Sequence, residues 1–320
     1  MSHLAPVVAA TFAALVLTGC GSGATAAASR RPGNSADRPA SSQASARTRH
    51  ATPLPLSPPV LLGDATGSLP TGFVPAVRWR GETAALIARS QTGIAVLSFD
   101  QRLLELRLHS GTVDAGGSGW RWGPAAAGSE RKLLVAAFNG GFRLSTGAGG
   151  FFSYGQVGAR LRNRLGSIVT YADGYTDIGA WNQEVPAPGR QVVSVRQNLK
   201  LLIDHGSAEP RVDCLICWGA TLGRVTDPAR SALGITSDGH LVWAGGEHLT
   251  VAQLAQALLG AGVVRAVELD INPEWVAGYL YGRRGRADRL VPVPVVRDQV
   301  GVAGFFLVPY SRDFFTVVAK

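Results

Sequence analysis

The chain has 320 residues, 46% of them hydrophobic, which is enough to bury a substantial core and excludes a wholly disordered protein. Its formal net charge is +9, of which +4 lies in residues 1–60, where five Arg face one Asp, and +5 in the remaining 260 residues. The folded part is therefore only mildly basic and has no Lys/Arg face with interleaved aromatic residues, so no nucleic-acid partner is predicted.

The first element is an uncharged apolar run, LAPVVAATFAALVLTG, at residues 4–19. It is short for a membrane span of roughly 20 residues and typical of a signal-peptide core. It ends in Leu17-Thr18-Gly19-Cys20, which resembles the bacterial lipoprotein signal motif. We predict a lipoprotein signal peptide at residues 1–20, with lipidation of Cys20 and an exported, membrane-anchored product. Met1-Ser2-His3 lacks the usual positive charge, and an ordinary cleaved signal remains the alternative.

Residues 21–60 consist mainly of Ala, Ser, Arg and Pro with few large apolar side chains. Such a segment buries too little surface to offset its ordering entropy. It is predicted to be a disordered tether between the membrane anchor and a folded domain at residues 70–320.

Within that domain, apolar runs and period-2 alternation predict a series of strands. These strands are predicted in TGIAVLSFD, RLLELRLHSG, KLLVAAFN, SIVTYADG, QVVSVRQNLKLLID, SALGITSDGHLVWAGG and VGVAGFFLVPY. Ser237-Asp238-Gly239 has the chemistry of a tight hairpin turn. The segment LTVAQLAQALLGAG predicts a helix that Thr250 and Gln253 cap at its start. The fold class expected is α+β, a single domain with a mixed β-sheet core and a few helices.

Cysteine and histidine usage gives little support for a metal centre. Beyond Cys20, the remaining cysteines are Cys214 and Cys217, in a CxxC pair that does not open a helix after a strand. In an exported protein this pair favours a small disulfide, with a reduced pair and a redox-active or metal-binding pair as alternatives. The six His form no HxH or HxxxH pair, so no metal site or cofactor is predicted, although a bound divalent cation stays an open alternative.

Two strand ends carry polar groups suited to a site. The strand KLLVAAFN runs into Asn139-Gly140-Gly141, and VVRAVELD runs into Asp270. Glycines allow a close backbone approach to a ligand, and Asn offers both a donor and an acceptor. Taken singly, each segment is also typical of an ordinary polar turn. The chain has no GxSxG elbow, Walker loop or HExxH motif.

The order of several short motifs resembles the phosphodiester glycosidase family over roughly residues 80–310. These motifs are FNGGF at 138–142, GGFF at 149–152, RSALGITSDGHLVW at 230–243, the helix-forming TVAQLAQALLGAG, and AVELD at 266–270. The resemblance implies hydrolysis of the bond between the anomeric carbon of a sugar and a phosphodiester, with a carbohydrate or glycosyl phosphodiester as the partner.

The resemblance also implies roles for matched residues. Asp270 would be a general acid/base or would orient water, and Arg230 would neutralise phosphate charge. Asn139, with the N–H groups of Gly140 and Gly141, would stabilise developing negative charge.

The chain departs from the family pattern after Asp270. Family members continue with Gly-Gly-Gly-Ser, whereas this chain continues Ile271-Asn272-Pro273-Glu274-Trp275. Ile and Pro forbid the backbone conformations that a glycine run allows near a phosphate. We expect Asn272, Glu274 and Trp275 to contact the substrate instead. Two alternatives remain: a catalytically inactive, lipid-anchored glycan-binding protein of the same fold, and an envelope protein whose CxxC pair exchanges thiols.

Overall fold

The structure is a computed structural model that describes residues 57–62, 72–90, 92–214, 216–219, 227–285, 289–301 and 304–320. The predicted signal peptide with Cys20, and all of the predicted tether except residues 57–60, lie outside the described residues. Chain contacts divide the protein into Met1–Leu54, which is not described further, and Pro55–Lys320.

Strands dominate the described residues, and helices are few. In chain order the elements are β1 (Val60–Leu61), β2 (Val74–Trp79), β3 (Glu82–Arg89), β4 (Ala95–Phe99), β5 (Leu104–His109), α1 (Glu130–Leu133), β6 (Leu134–Asn139), a 3₁₀ turn (Leu144–Thr146), β7 (Phe151–Ser153), β8 (Gln156–Ala159), β9 (Gly166–Tyr171), β10 (Thr176–Ala180), β11 (Val192–Gln197), β12 (Leu201–Asp204), β13 (Ser207–Ala208), β14 (Arg230–Thr236), β15 (Leu241–Gly246), α2 (Val251–Gly260), β16 (Val263–Glu268), β17 (Gly278–Arg284), β18 (Arg289–Pro294) and β19 (Phe314–Ala319).

The strands form three antiparallel sheets. The large sheet has the order β1-β2-β3-β4-β15-β14-β16-β12-β13, and the two five-stranded sheets have the orders β10-β9-β11-β7-β8 and β18-β17-β6-β19-β5. The predicted α+β class with a mixed sheet is therefore wrong, and the fold is β-rich. A mixed sheet would contain parallel as well as antiparallel strand pairs. In the structure, β15 and β16 pair with opposite sides of β14, so both ladders are antiparallel.

Alternation along the strands of the large sheet builds two hydrophobic layers. Leu97, Phe99 and Trp243 face the two smaller sheets in the main core. Their neighbours Val96 and Val242 face the opposite side, where Leu254 and Leu258 of α2 cover the sheet. This division follows from the two-residue period of a strand, which sends successive side chains to opposite faces.

Helix α2 begins as predicted. The Thr250 hydroxyl accepts the N–H of Gln253 at 3.2 Å, and the Gln253 side chain accepts the N–H of Thr250 at 2.9 Å. This reciprocal capping satisfies two amide groups that the helix itself leaves without partners. The predicted turn between β14 and β15 is also confirmed, and Gly239 there has a φ of 87°.

The predicted strand in VGVAGFFLVPY is wrong over its described residues. Gly304 accepts the N–H of Leu307 in a turn, and the chain is not extended there. The rings of Phe306 and Tyr310 pack against Phe314 at centroid distances of 4.8 and 6.1 Å. Apolar residues in this segment fill an aromatic cluster on the outer face of the third sheet, and the strand β19 follows it.

Candidate functional site

The ends of strands from different sheets meet at one edge of the molecule. Phe314, the first residue of β19, pairs with Asn139 at the end of β6 and with His109 at the end of β5. The backbone N–H of Asp270, two residues after β16, donates to the Gly140 carbonyl oxygen at 3.0 Å. The large sheet and the third sheet are thus joined at the two polar segments that the sequence singled out.

Asp270 is buried in the wall of this edge, with 6% of its surface exposed. Its Oδ1 accepts the N–H groups of Ile271 and Asn272 at 2.8 and 3.0 Å, and its Oδ2 lies 3.0 Å from Nη2 of Arg312. Burial raises the pKa of Asp270 above its ordinary value, while the Arg312 charge and the two N–H groups oppose that rise. The carboxyl is a stronger base than an exposed aspartate.

Arg312 binds two carboxylates at once. Its guanidinium pairs with Asp114 as well as Asp270, and Nη2 also donates to the Gly141 carbonyl oxygen at 3.0 Å. The Arg312 guanidinium carbon lies 5.5 Å from the ring centroid of Trp275. The two acidic partners compensate the charge of this arginine, so its main effect is to orient Asp270.

A second ion pair lies directly behind the first. Arg196 Nε and Nη2 donate to Asp313 at 2.7 and 3.0 Å, and neither side chain is exposed. Arg196 also donates to the Phe142 carbonyl oxygen at 2.5 Å, and the Gly141 N–H donates to Asp313 Oδ2 at 3.3 Å. This network fixes the segment that follows β6 against the segment that precedes β19.

A cleft of about 650 Å³ opens in front of Asp270, and we call it the main cleft. Its lining residues are Phe142, Arg143, Thr146, Gly147, Ala148, Arg162, Leu165, Leu199, Ile216, Cys217, Gly219, Asp270, Ile271, Asn272, Trp275 and Arg312. A volume of this size suits a small organic ligand. Apolar side chains form one part of the wall, and the carboxyl, amide and guanidinium groups form another.

Two exposed arginines supply positive charge in the main cleft. Arg162 donates to the Gly147 carbonyl oxygen. Arg143 has no hydrogen-bond or ion-pair partner for its side chain within the described part of the chain. Its guanidinium is therefore available to an anionic ligand.

A second depression of about 560 Å³ adjoins the first, and we call it the side hollow. Its lining residues are Val113, Asp114, Ala115, Gly116, Arg143, Leu144, Ser145, Gly158, Trp275, Ser311 and Arg312. Arg143, Trp275 and Arg312 line both spaces, and we call these three residues the junction.

The predicted Asn-Gly-Gly segment lies beneath the cleft and does not line it. Asn139 donates to Ser231 Oγ at 2.9 Å, and Ser231 donates to the Asp270 carbonyl oxygen at 3.1 Å. The Gly140 N–H donates to the Asp313 carbonyl oxygen at 3.0 Å, and a Cβ at Gly140 would overlap the Asp313 carboxylate. These glycines allow the close approach of Asp313 instead of a ligand, and Asn139 positions the Asp270 backbone.

The other predicted residues divide between the cleft and its surroundings. Asn272 and Trp275 line the main cleft beside Asp270, whereas Glu274 is exposed outside it. Arg230 is buried and does not line the cleft, and it donates to Glu268 at 2.6 Å and to the Leu249 carbonyl oxygen at 2.9 Å. Burial raises the pKa of Glu268 to about 8, against the opposing effect of Arg230. Arg230 is thus placed to stabilise the core beside the site.

Cys214 and Cys217 are joined by a disulfide. Cys217 lines the main cleft, and Ile216 between them is 87% exposed. The disulfide therefore constrains a short loop at the cleft rim.

One group of described residues has the side chains to hold a metal ion. Ligand atoms of Glu184, Asp204 and His205 lie within 4.8 Å of one another, away from the main cleft and the side hollow. Exposed acidic groups of this kind commonly hold no ion.

Sequence reasoning missed most of the charged residues around Asp270: Asp114, Arg143, Arg162, Arg196, Arg312 and Asp313. For two of these residues, the sequence contains a feature from which a role in the site could have been predicted. Arg196 is the one charged residue of the strand segment VVSVRQ, and Arg143 directly follows the FNGGF motif. No local sequence feature predicts a role for Arg312, because its partner Asp114 is 198 residues away in the chain.

Among the described residues, no helix is long and apolar enough to cross a membrane. No family model matches the chain, and no curated protein matches it.

Solved structures show remote similarity. The catalytic domain of zebrafish N-acetylglucosamine-1-phosphodiester alpha-N-acetylglucosaminidase, auto-inhibited by its pro-peptide, is 14% identical with a TM-score of 0.45, over 78% of this chain and 81% of that one. A hypothetical protein from Synechocystis is 13% identical with a TM-score of 0.41, over 75% and 63%. A protein from Burkholderia pseudomallei that is named as exported is 12% identical with a TM-score of 0.36, over 76% of this chain and 77% of that one. Similarity this distant assigns neither a family nor an activity to the chain.

Proposed function

We propose that the protein is a hydrolase of glycosyl phosphodiesters, with Asp270 as its general base. The observation that carries this proposal is a buried carboxyl of raised pKa in the wall of a cleft that also presents Arg143, a cation without an acidic partner in the described chain. A carboxyl beside an available guanidinium is the chemistry that a bond between a sugar and a phosphate requires.

The bond to be broken explains why one carboxyl near the reacting carbon suffices. Asp270 takes a proton from a water molecule, and the water oxygen bonds to the anomeric carbon. The bond between that carbon and the phosphate oxygen breaks, and its electron pair leaves with the phosphate monoester. A phosphate with a second pKa near 6 departs as an anion, so it needs positive charge more than a proton donor. Arg143 supplies that charge.

Trp275 gives the cleft a flat apolar surface beside Asp270. An indole ring can pack against the C–H face of a sugar while its neighbours bond the hydroxyl groups. Asn272, with an amide that both donates and accepts, lies in the same wall. These two residues support a carbohydrate on the Asp270 side of the cleft.

A second candidate function is glycan binding without hydrolysis. The Gly140 N–H donates to the Asp313 carbonyl oxygen and the Gly141 N–H to the Asp313 carboxylate, so Asp313 already occupies both donors of the anion cradle expected there. Catalysis must then proceed without backbone stabilisation from this segment. If it does not proceed, the cleft would still bind a sugar phosphate.

Turnover assays on the full-length protein separate these candidates. The substrates are methyl phosphodiesters of α- and β-linked glucose, mannose and N-acetylglucosamine 1-phosphate. The proposal predicts release of free sugar and methyl phosphate in equal amounts, many times the amount of protein. Saturable binding of the same compounds with no product would contradict it and support the glycan-binding function.

We also propose that the protein is exported and lipid-anchored at Cys20, as the apolar run at residues 4–19 and the Leu17-Thr18-Gly19-Cys20 sequence support. A Cys20→Ser variant expressed in a bacterium should lose the lipid and move from the detergent phase to the aqueous phase in a detergent partition experiment. Unchanged partition of the variant would show that the cysteine is incidental to membrane attachment.

A further inference from the structure

The site has room for a group on each side of a bound phosphate. The main cleft and the side hollow measure about 650 and 560 Å³. Each volume alone falls within the roughly 300–1,000 Å³ of pockets that take a whole small ligand. A single sugar phosphate would leave one of the two spaces unused.

The junction indicates which part of the substrate would lie in each of the two spaces. Asp270 lines the main cleft only, whereas Arg143 and Trp275 line both spaces. The sugar whose anomeric carbon reacts must lie by Asp270 in the main cleft. Its phosphate then lies at Arg143, and the group on the other ester oxygen enters the side hollow.

The lining of the side hollow suits a hydroxyl-rich group. Ser145 and Ser311 contribute polar groups, Asp114 contributes a carboxylate, and Trp275 contributes an aromatic ring. Small residues, including Gly116 and Gly158, keep the space open. This is the mixture of hydrogen-bonding groups and one aromatic face that a second sugar or a polyol would contact.

The main cleft contains a second exposed cation, Arg162. Arg162 lines the main cleft and is absent from the lining of the side hollow. A substrate with one phosphate at the junction and another beyond the reacting sugar would meet Arg143 and Arg162 in turn. Repeated anions of this kind occur in a polymer whose sugars are linked by phosphodiesters.

We propose that the substrate is a polymeric glycosyl phosphate, cleaved at internal linkages, with the side hollow holding the unit beyond the scissile phosphate. This inference rests on the proposed hydrolase function. It assigns Ser145 and Val113, which lie at exposed positions of the side hollow, as determinants of specificity for that unit.

The test fills the side hollow without touching the catalytic groups. Ser145→Trp and Val113→Trp add bulk at exposed lining positions, and Ser207→Trp and Val308→Trp are matched controls at exposed positions outside both spaces. The probes are methyl phosphodiesters of sugar 1-phosphates, the corresponding poly(sugar 1-phosphate) oligomers, and dodecyl phosphodiesters. Rates are measured on the full-length protein.

The inference predicts that the two filling variants lose at least tenfold in kcat/KM on oligomers, while methyl diesters stay within twofold and the controls behave like the wild type. Oligomer length should fall before free monosaccharide appears. Equal loss on oligomers and methyl diesters, or no loss on either, would overturn it.

Three other results would also test whether the substrate is a polymer. Wild-type turnover of methyl diesters with resistant oligomers would overturn the inference and leave the hydrolase function intact. Loss confined to dodecyl diesters would show that the side hollow takes an apolar chain, which contradicts a polymeric glycan. Turnover of none of the probes would overturn the hydrolase function and this inference with it.

Discussion

Arg143 lines the main cleft with no hydrogen-bond or ion-pair partner for its side chain in the described part of the chain, and it tests the phosphate assignment. Replacing it with Gln removes a charge-assisted contact worth about 1.5–3 kcal/mol, so we expect KM for a glycosyl phosphodiester to rise by about tenfold or more. We expect kcat to fall as well, because Arg143 also stabilises the negative charge that develops on the departing phosphate.

Arg78→Gln is the matched control for Arg143→Gln, since Arg78 is an exposed arginine on β2 outside both spaces. It should leave KM unchanged. An unaltered KM in Arg143→Gln would contradict the placement of the phosphate at the junction. Steady-state kinetics of the three proteins decides this.

The burial of Asp270 has a consequence for the pH profile. A general base works only when it is deprotonated, and burial raises the pKa of this carboxyl. We expect kcat/KM to fall as the pH decreases through a midpoint above about 3.9, the ordinary value for an aspartate. A profile in which activity instead decreases as the pH rises through that midpoint would indicate that Asp270 acts as an acid. The measurement is kcat/KM across buffers of constant ionic strength.

At the scale of the elements, the buried pair of Arg196 in β11 and Asp313 before β19 joins two of the three sheets. Asp313→Ala would leave the guanidinium buried and unpaired, so we expect a loss of about 3–5 kcal/mol in the free energy of unfolding. Asp173→Ala breaks the exposed pair with Arg190 and should cost no more than about 1 kcal/mol. Urea unfolding followed by tryptophan fluorescence measures both, and similar losses in the two variants would contradict this account of the sheet junction.

The elements that the sequence predicts well are those whose signals are local. Helix α2 has its capping residues and its apolar face within one segment, and β14 and β15 are joined by a turn whose glycine requires a positive φ. The strand predicted at residues 300–310 is wrong over its described residues because an apolar run also occurs where aromatic rings pack in a turn. Periodicity alone does not separate these two uses of the same residue types.

The architecture of the whole molecule depends on pairs of strands that are distant in the sequence, and local residue patterns do not predict these pairs. Strand β4 pairs with β15, far along the chain, and β19 inserts between β5 and β6. Alternation predicts that a segment is a strand but does not identify its partner, which is why the expected mixed sheet proved to be three antiparallel sheets.

The same limit applies to the candidate site. The sequence singled out Asp270, Asn272 and Trp275, all of which line the main cleft. The sequence could not predict that Arg312 and Asp114 belong to the site, because their contact exists only after the third sheet has formed. It also gave Asn139 and the two glycines a direct role at the substrate, whereas their contacts are with Ser231 and Asp313. Polar groups at a strand end show that a site is near, but only the fold shows which of them face it.

Turnover of the Asp270→Asn variant is the measurement that most directly tests the central claim. Asn keeps the size of the side chain but cannot accept the proton, and removal of a general base typically costs about 10²–10⁴-fold in rate. We expect at least a 100-fold loss of kcat on the best glycosyl phosphodiester of the panel, with an unfolding midpoint that shows a folded protein. Asp204→Asn, at the exposed end of β12, should retain full activity. Turnover of folded Asp270→Asn within a few fold of the wild type would contradict the claim that Asp270 performs the reaction.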